Sequence, residues 1–287
     1  MKRILVIGAT GTIGSEVASQ LTATGAQVRA LVRNPGVAHV PPGIEIFQGD
    51  LTIPQTLDPC LSGIDAVFLV WIAPRPSFAP AWDRIAKRAR RIVFLSAPIK
   101  TPHPFFQQPN PVRDTAVEIE CAIESSGLEW TFLRPGMFAA NARVWWASAI
   151  RAGKHVRWPY LDVPTAPIHQ YDVARIAVKA LCEDGHHKAE YVLTGPGSLT
   201  QREQIETIAR VIGRPVGIEE IARDDARREL GELLNPVAAG FLINAWSAAE
   251  GLPAHLTSTV RDLTGKPART FSEWVANHVS DFIPPRS

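Results

Sequence analysis

The chain contains little cysteine. Its 287 residues include only Cys60, Cys121 and Cys182, which lie far apart. Three isolated cysteines provide neither a disulfide framework nor the paired spacing of a zinc site. We therefore expect a reduced, cytoplasmic setting and no bound metal.

Excess charge of one sign and long apolar runs are also lacking. Lysine and arginine total 30 against 28 aspartate and glutamate, a net charge of +2. We expect no nucleic-acid partner, because that would require a broad basic face. No apolar run reaches the length of about 18 residues that a membrane span needs. We expect no signal peptide either, since the N-terminus enters a strand directly.

What the sequence does contain is an alternation of strands and helices in its first half. The run "RILVIGA" at 3–9 is apolar throughout, as in a parallel strand buried on both faces. Ile13, Val17 and Leu21 then follow at helical spacing. Further strands are predicted at 27–32, 44–49, 66–71, 91–97 and 129–134, with helices near 54–61, 78–90 and 112–126. This alternation predicts an α/β fold with a doubly wound parallel sheet.

The second half has a different pattern. A strong helix is predicted at 171–184, and 189–195 is predicted to add a strand to the same sheet. After residue 200 the pattern is mostly helical, with helices predicted at 200–212, 224–234, 236–250 and 270–283. We expect a sheet domain over 1–155 and an interleaved, smaller, mainly helical part over 156–287 that caps the substrate site.

Three glycines stand at the end of the first strand, in "IGATGTIG" at 7–14. In this setting Gly8 allows a sharp turn, Gly11 a close approach of the backbone to a pyrophosphate, and Gly14 tight helix packing. The helix N-terminus then directs N–H groups at the phosphates, and Thr10 and Thr12 add hydroxyl donors. The alternative is a tight turn without a ligand. The strand before and the helix after it favour a dinucleotide cofactor.

The end of the second strand bears on which dinucleotide binds. It reads "ALVRNP", with no acidic residue before Arg33. A guanidinium can pair with a 2′-phosphate, so NADP(H) is favoured over NAD(H); a solvated loop residue is the alternative. Asp50 and Leu51 follow the third strand and are expected at the adenine. An N-cap role for Asp50 is an alternative that is compatible with this one.

Several segments together resemble one family. They are "ILVIGATGTIGSEVASQL", "VRALVRNP", "FQGDLTIPQTL", "WTFLRPGMFAANA", "PIHQYDVARIAVKAL" and "YVLTGPGSLT". Over residues 1–215 the chain resembles the NmrA-like family of atypical short-chain dehydrogenases/reductases. The resemblance implies a Rossmann domain that binds NAD(P). The family includes NADPH-dependent quinone and isoflavone reductases, and also redox sensors that bind the dinucleotide without catalysis.

The resemblance also implies a set of cofactor contacts. The pyrophosphate is expected to contact Gly8, Thr10, Gly11, Thr12 and Ile13. The 2′-phosphate is expected at Arg33, and the adenine at Asp50 and Leu51. The ribose is expected along Val70 and Trp71, and the nicotinamide end at Ser96, Pro135, Gly136 and Phe138.

The catalytic Tyr-x-x-x-Lys of typical short-chain dehydrogenases is absent. The residues four positions after the three tyrosines are Pro164, Arg175 and Gly195, and the helix that would carry the motif, "VRDTAVEIECAIESSG", has no tyrosine, lysine or histidine. We predict a reductase whose acceptor needs little acid help, a quinone or another flat aromatic carbonyl compound. Aromatic natural-product tailoring is a suitable setting, including the reducing half of an oxygenation. The alternatives are a non-catalytic NADP(H) sensor with a protein partner, and an epimerase or isomerase that retains its cofactor.

Aromatic residues cluster where the substrate is expected. The predicted pocket residues are Phe105, Phe106, Phe138, Trp145, Trp158 and Tyr160, which suit a flat aromatic molecule. The segment 98–111 has five prolines, follows the fifth strand and is predicted to form a lid. The candidate proton donors are His103, Lys100, Asn141 and His169. Core packing is the alternative for the tryptophans, and a structural role is the alternative for His169.

Overall fold

The computed structural model describes residues 1–284 and divides into two compact units. The first unit comprises Met1–Ala97, Val112–Pro135 and Gln170–Val192, and the second comprises Pro98–Pro111, Gly136–His169 and the chain from Leu193 onward. Each unit is thus assembled from three stretches, whereas the predicted division used the continuous ranges 1–155 and 156–287.

The described residues form eleven strands and eleven α-helices. The strands are β1 Arg3–Ile7, β2 Gln27–Val32, β3 Glu45–Gln48, β4 Ala66–Leu69, β5 Arg91–Leu95, β6 Glu129–Pro135, β7 Val156–Trp158, β8 Pro164–Thr165, β9 Ala189–Leu193, β10 Leu199–Thr200 and β11 Ile218–Glu220. The helices are α1 Thr12–Thr22, α2 Asp58–Leu61, α3 Phe78–Ala86, α4 Pro111–Glu124, α5 Asn141–Arg151, α6 Gln170–Cys182, α7 Gln201–Ile212, α8 Arg223–Leu233, α9 Pro236–Ala248, α10 Thr259–Thr264 and α11 Phe271–Asn277.

A seven-stranded sheet forms the centre of the first unit, in the order β3-β2-β1-β4-β5-β6-β9. Strands β1 to β6 pair in parallel, with Ile4 of β1 opposite Val28 of β2 and Ala66 of β4. The inner strands are buried on both faces, which is why they appear in the sequence as unbroken apolar runs. The strand order reverses between β1 and β4, the position where ligands bind in such sheets. The predicted α/β fold with a doubly wound sheet is confirmed.

The second unit contains a separate core of tryptophans. Trp145, Trp146, Trp158 and Trp246 form one cluster, with ring centroids between 5.4 and 5.8 Å apart for the pairs in contact. These rings join α5, β7 and α9. Two small sheets accompany them: β8 pairs antiparallel with β10, and β7 pairs parallel with β11.

The predicted helices of the second half are present, with one difference in extent. The helix predicted over 270–283 ends at Asn277, and a 3₁₀ turn follows at Val279–Asp281. The short α10 was not predicted. In the part of the chain that the structure describes, no helix is both long and apolar enough to cross a membrane.

Candidate functional site

The glycine turn after β1 leaves no space for side chains at two positions. Gly8 has φ +91°, and a Cβ there would lie 2.9 Å from Cβ of Val70. A Cβ on Gly14 would lie 2.1 Å from the carbonyl oxygen of Gly8. Glycine at both positions therefore allows α1 to begin directly against the end of β1.

The start of α1 is suited to bind an anion. Its N-cap residue is Gly11, so no side-chain hydrogen bond caps the helix. The N–H groups of an uncapped first turn, together with the helix dipole, favour a phosphate. Thr10, Gly11 and Thr12 are exposed, so a ligand can reach the turn. The backbone of this turn therefore fits the pyrophosphate of a dinucleotide.

An open cleft of about 140 Å³ lies beside this turn, within the first unit. It is lined by residues at the carboxyl ends of β1, β2 and β3 and by the segment after β4. The lining residues are Ile7, Gly8, Thr10, Leu31, Val32, Arg33, Gly49, Asp50, Leu51, Thr52, Ile72, Ala73 and Pro74. The predicted residues Thr10, Arg33, Asp50 and Leu51 are thus brought together.

Two charged side chains give this cleft its polarity. Arg33 is exposed and also lines a neighbouring opening with Val37 and His39. The Asp50 carboxylate accepts hydrogen bonds from the backbone N–H and the hydroxyl of Thr52, each at 2.8 Å. These two bonds lower the pKa of Asp50, so it stays ionised at neutral pH. Asp50 therefore stabilises the turn after β3 and also lines the cleft.

The segment after β4 was not predicted to line the cleft. Ile72, Ala73 and Pro74 line the cleft, although only Val70 and Trp71 were predicted there. Its place in the sheet could have indicated this, because β4 is one of the two strands at which the sheet order reverses and ligands bind at that position. Trp71 is half-buried and packs edge-on against Phe78, with ring centroids 5.1 Å apart.

A buried ion pair connects several strands of the first unit. Arg134, 1% exposed at the end of β6, bonds through Nη2 and Nε to both oxygens of Glu120 on α4, at 2.5 and 2.9 Å. Its Nη1 bonds to Glu190 of β9 at 2.5 Å. Ser96, after β5, donates its hydroxyl hydrogen to Glu120 at 2.5 Å. These buried carboxylate contacts were not predicted, because a lone glutamate on a helix carries no local signal.

The ion pair with Arg134 also explains the role of Glu120, a carboxyl group on the helix α4 that lacks tyrosine and lysine. Glu120 is 3% exposed, and both of its oxygens accept hydrogen bonds. Arg134 and Ser96 thus occupy both oxygens of the group. We therefore conclude that Glu120 does not replace the missing tyrosine as an acid.

A second, small cleft of about 20 Å³ lies entirely within the second unit. Its lining combines aromatic and aliphatic walls with two histidines and two threonines. The lining residues are His103, Phe105, Phe106, Gly136, Met137, Pro164, Thr165, Ala166, Thr194, Ala254 and His255. Of these, Phe105 and Phe106 were predicted for the substrate pocket, Gly136 for the nicotinamide end of the cofactor, and His103 as a candidate proton donor. His255, Thr165 and Thr194 were not, because they come from separate stretches with no shared pattern.

The ring of His103, one of the predicted acids, is held at both nitrogens. Nδ1 lies 3.3 Å from the backbone N of Phe105, and Nε2 lies 3.0 Å from the carbonyl oxygen of Pro253. A backbone N–H can only donate and a carbonyl can only accept, so Nδ1 is bare and Nε2 carries the hydrogen. His103 therefore fixes the segment at Pro253 and, held in this way, has no proton available for a substrate.

The remaining predicted residues are placed as follows. Trp158 is 2% exposed and donates its Nε1 hydrogen to Gln201 at 2.6 Å, so it belongs to the core rather than to the cleft. Trp145 and Tyr160 are half-buried against the same core, and Phe138 bridges to Ile168. Lys100 is exposed and Asn141 is half-buried at the start of α5.

His169 has a structural environment. It is 3% exposed, and its ring lies 6.2 Å from that of His278. Burial, with Arg269 and His278 nearby, lowers the pKa of His169 to about 4. The ring is therefore neutral at neutral pH and a poor proton donor.

Comparisons with known proteins agree with this geometry. The sequence model of a family described as NAD(P)H-binding matches residues 8–184, which include the glycine turn and Arg33. The (4-alkanoyl-5-oxo-2,5-dihydrofuran-3-yl)methyl phosphate reductase of Streptomyces griseus is 39% identical, covering 98% of this chain and 99% of that protein. The NAD(P)H azoreductase of Xenophilus azovorans is 32% identical, covering 97% of this chain and 99% of that protein.

Solved structures share the fold. The NADPH-dependent quinone oxidoreductase of Escherichia coli superimposes with a TM-score of 0.78 at 23% identity, covering 96% of this chain and 99% of that one. The chain therefore belongs to the NAD(P)H-binding family, within the NmrA-like group of atypical short-chain dehydrogenases/reductases. It is an NAD(P)H-dependent oxidoreductase, as predicted.

Proposed function

We propose that the protein reduces a quinone or another flat, conjugated carbonyl compound with NADPH. The observation that carries the proposal is the state of α4. The helix lacks tyrosine, lysine and histidine, and its buried carboxylate, Glu120, is neutralised by Arg134. An acceptor that needs a strong acid would gain nothing from such a helix, whereas a quinone requires none.

The chemistry of the acceptor explains this choice. When NADPH is bound it supplies a hydride, and a quinone that accepts the hydride becomes a phenolate whose charge spreads over the ring. Water can then deliver the proton. The protein contributes chiefly by holding donor and acceptor in contact, which accounts for a large share of many rate enhancements. Relatives named as a reductase of a dihydrofuranyl methyl phosphate, an azoreductase and a quinone oxidoreductase support a reductase of this kind.

We assign the cofactor contacts to the first unit. The turn from Gly8 to Gly14 would hold the pyrophosphate, and Asp50 and Leu51 would border the adenine. Arg33 would hold the 2′-phosphate as a charge-assisted fork. No acidic side chain of β2 competes for the ribose, which supports NADPH over NADH. The quinone oxidoreductase of E. coli was also solved with NADPH.

A place in the tailoring of aromatic natural products follows from the same proposal. Reduction of a polycyclic quinone gives a hydroquinone, which can react onward with oxygen. The expected substrate is therefore a small aromatic molecule rather than a macromolecule, and the expected setting is cytoplasmic.

Turnover with a panel of naphthoquinones and anthraquinones tests the function. We expect the absorbance of NADPH to fall when a quinone is added and to remain steady without one. Tight NADPH binding with no consumption across the panel would contradict the proposal and support a redox sensor. Release of an isomerised product without net NADPH use would support an epimerase instead.

Replacement of Arg33 tests the cofactor preference. Arg33→Ala should weaken NADPH binding about tenfold, because it removes charge-assisted hydrogen bonds at an exposed site, and should leave NADH binding unchanged. Arg90→Ala, at an exposed position before β5, is the matched control and should change neither. Fluorescence titration of both nucleotides measures the effect, and a wild-type preference for NADH would overturn the assignment.

A further inference from the structure

A third cleft, with a volume of about 260 Å³, lies entirely within the second unit. Residues of α7, of the start of α11 and of the loop between β9 and β10 line it, and α7 packs against α11. Small-molecule sites usually measure about 300–1,000 Å³, so this cleft has room for a compound of modest size. Neither the cofactor contacts nor the predicted substrate pocket includes its lining residues.

The walls of the third cleft are apolar and are fixed by the fold. They consist of Pro167, Pro196, Leu199 and Phe271. Gly195 fits so closely against Pro167 that a Cβ on Gly195 would lie 2.3 Å from the carbonyl oxygen of Pro167. Because this close approach sets Pro196 beside Pro167, the walls are formed before a ligand binds. Preformed walls reduce the entropic cost of binding.

Arg210 supplies the charge of the third cleft. Of the described residues that line it, Arg210 alone is charged. Glu206 precedes Arg210 by one turn of α7, the spacing at which a glutamate and an arginine can pair on a helix surface. In the part of the chain that the structure describes, the side chain of Arg210 nevertheless makes no ion pair or hydrogen bond, with Glu206 or with any other residue. Its guanidinium is therefore available to an anionic ligand.

Two of the three hydroxyl groups in the lining are already used. The hydroxyl of Thr207 donates to the carbonyl oxygen of Glu203, and that of Thr270 donates to the carboxylate of Glu273, each at 2.7 Å. Glu273 itself is not among the lining residues. Ser272 is exposed, and within residues 1–284 its hydroxyl makes no hydrogen bond. The third cleft thus offers one cation and one unused hydroxyl group.

These features define the charge and the shape of a ligand. A guanidinium binds a carboxylate through two parallel hydrogen bonds and balances its single charge. A phosphate monoester carries close to two negative charges, and the second would have no cation to balance it. The apolar walls favour an apolar body, because contact with them removes apolar surface from water.

We propose that the third cleft binds a small monocarboxylate with an apolar body, and that Arg210 holds its carboxylate group. The ligand is bound without chemical change. The proposal goes beyond the reductase function and does not rest on it, because the cofactor contacts are assigned to residues of the first unit.

Calorimetry with 2-naphthoate tests the proposal. The full chain is first saturated with NADP⁺, so that the probe does not compete for the cofactor cleft. We expect 2-naphthoate to bind with a Kd of about 1 mM or below. The amide 2-naphthamide has the same rings and nearly the same shape without the charge, and it should bind at least about tenfold more weakly. Equal affinities for the two compounds would overturn the proposal.

Variants of α7 assign the binding to Arg210. Arg210→Met removes the charge, keeps most of the side-chain length and should weaken 2-naphthoate binding about tenfold. Arg210→Lys keeps the charge and should recover part of the affinity. Arg202→Met is the matched control on the same helix, since Arg202 pairs with Asp162 and does not line the third cleft. It should leave 2-naphthoate binding unchanged. Wild-type NADP⁺ affinity in each variant shows that it is folded.

Nuclear magnetic resonance locates the ligand. The ring protons of bound 2-naphthoate should show nuclear Overhauser effects to the methyl groups of Leu199, which lines the third cleft. Absence of this contact would overturn the proposal, as would normal 2-naphthoate binding by Arg210→Met or no binding by the wild-type protein at several millimolar. Quinone reduction is measured separately, so loss of the reductase proposal would leave this site intact.

Discussion

Among single residues, Gly14 has the least space for substitution in the phosphate turn. Its missing Cβ would lie 2.1 Å from the carbonyl oxygen of Gly8 and 2.6 Å from the carbonyl carbon, both of them backbone atoms with little freedom to move. Gly14→Ala should therefore push α1 away from β1. We expect NADPH binding to weaken at least about tenfold and stability to fall by about 1–3 kcal/mol.

A second helical glycine provides the control. Nothing lies within 4 Å of a Cβ built on Gly240 in α9. Gly240→Ala should leave NADPH binding unchanged and raise stability by up to about 1 kcal/mol, since alanine is the better helix former. Denaturant unfolding and nucleotide titration measure both variants. Equal losses in the two variants would show that the turn does not depend on the close approach at Gly14.

Residue roles were predictable where a local pattern fixes them. The spacing of Gly8, Gly11 and Gly14 after a strand was enough to predict a phosphate turn, because each glycine meets a backbone requirement of that turn. His255 and Thr165, which line the second cleft, carried no such signal, because they lie far apart in the sequence. His103 was singled out by its position after β5, yet its hydrogen bonds depend on Pro253, 150 residues later.

At the scale of elements, the buried pair between Glu120 and Arg134 fixes α4 to the end of β6. Glu120→Gln would leave the 1%-exposed guanidinium with a single carboxylate, that of Glu190. Breaking one side of a buried ion pair typically costs several kcal/mol, because a charge remains buried. We expect Glu120→Gln to lower the free energy of unfolding by about 3 kcal/mol.

The same substitution on the same helix is available as a control. Glu118 pairs with Arg75, and both side chains are largely exposed, at 43% and 62%. Exposed pairs contribute little, so Glu118→Gln should change stability by less than about 1 kcal/mol. Urea unfolding of both variants provides the comparison. A Glu120→Gln protein as stable as the Glu118→Gln protein would refute the structural role of the buried pair.

Strands and helices were predicted where they are long enough to show a regular pattern of apolar residues. The strands β1, β4 and β5 were found because each is an apolar run of the sheet interior. The strands β8 and β10 have two residues each, too few for any alternation to show. The last helix was predicted too long because Phe282 continues its apolar pattern. In the structure the helix ends at Asn277, and a 3₁₀ turn at Val279–Asp281 precedes Phe282.

For the molecule as a whole, we expect histidines with lowered pKa values to make the fold less stable in acid. Burial lowers the pKa values of His169, His186 and His255, that of His169 to about 4. These rings stay neutral in the native state while the unfolded chain takes up protons below about pH 6.5. The unfolded state therefore binds more protons, and stability must fall as the pH is lowered from about 6.5.

The carboxylates with lowered pKa values affect stability in a lower pH range than the histidines do. Asp50, Asp184 and Glu273 have lowered pKa values, so their contribution is lost only when the pH falls below their unfolded values of about 4. Between about pH 6.5 and 4.5, the loss of stability should therefore come mainly from the histidines. His169 alone should account for up to about 3 kcal/mol by pH 4, as its pKa difference from the unfolded state implies.

His169→Phe isolates this contribution. The variant cannot take up the proton, so its free energy of unfolding should depend less steeply on pH, by up to about 1.4 kcal/mol per pH unit between pH 6 and 4.5. The slope is compared rather than the absolute stability, because the ring also packs near His278. His39→Phe, at an exposed position, should keep the wild-type slope. An unfolding free energy of the wild-type protein that stays constant from pH 6.5 to 4.5 would rule out neutral buried histidines as the source of acid sensitivity.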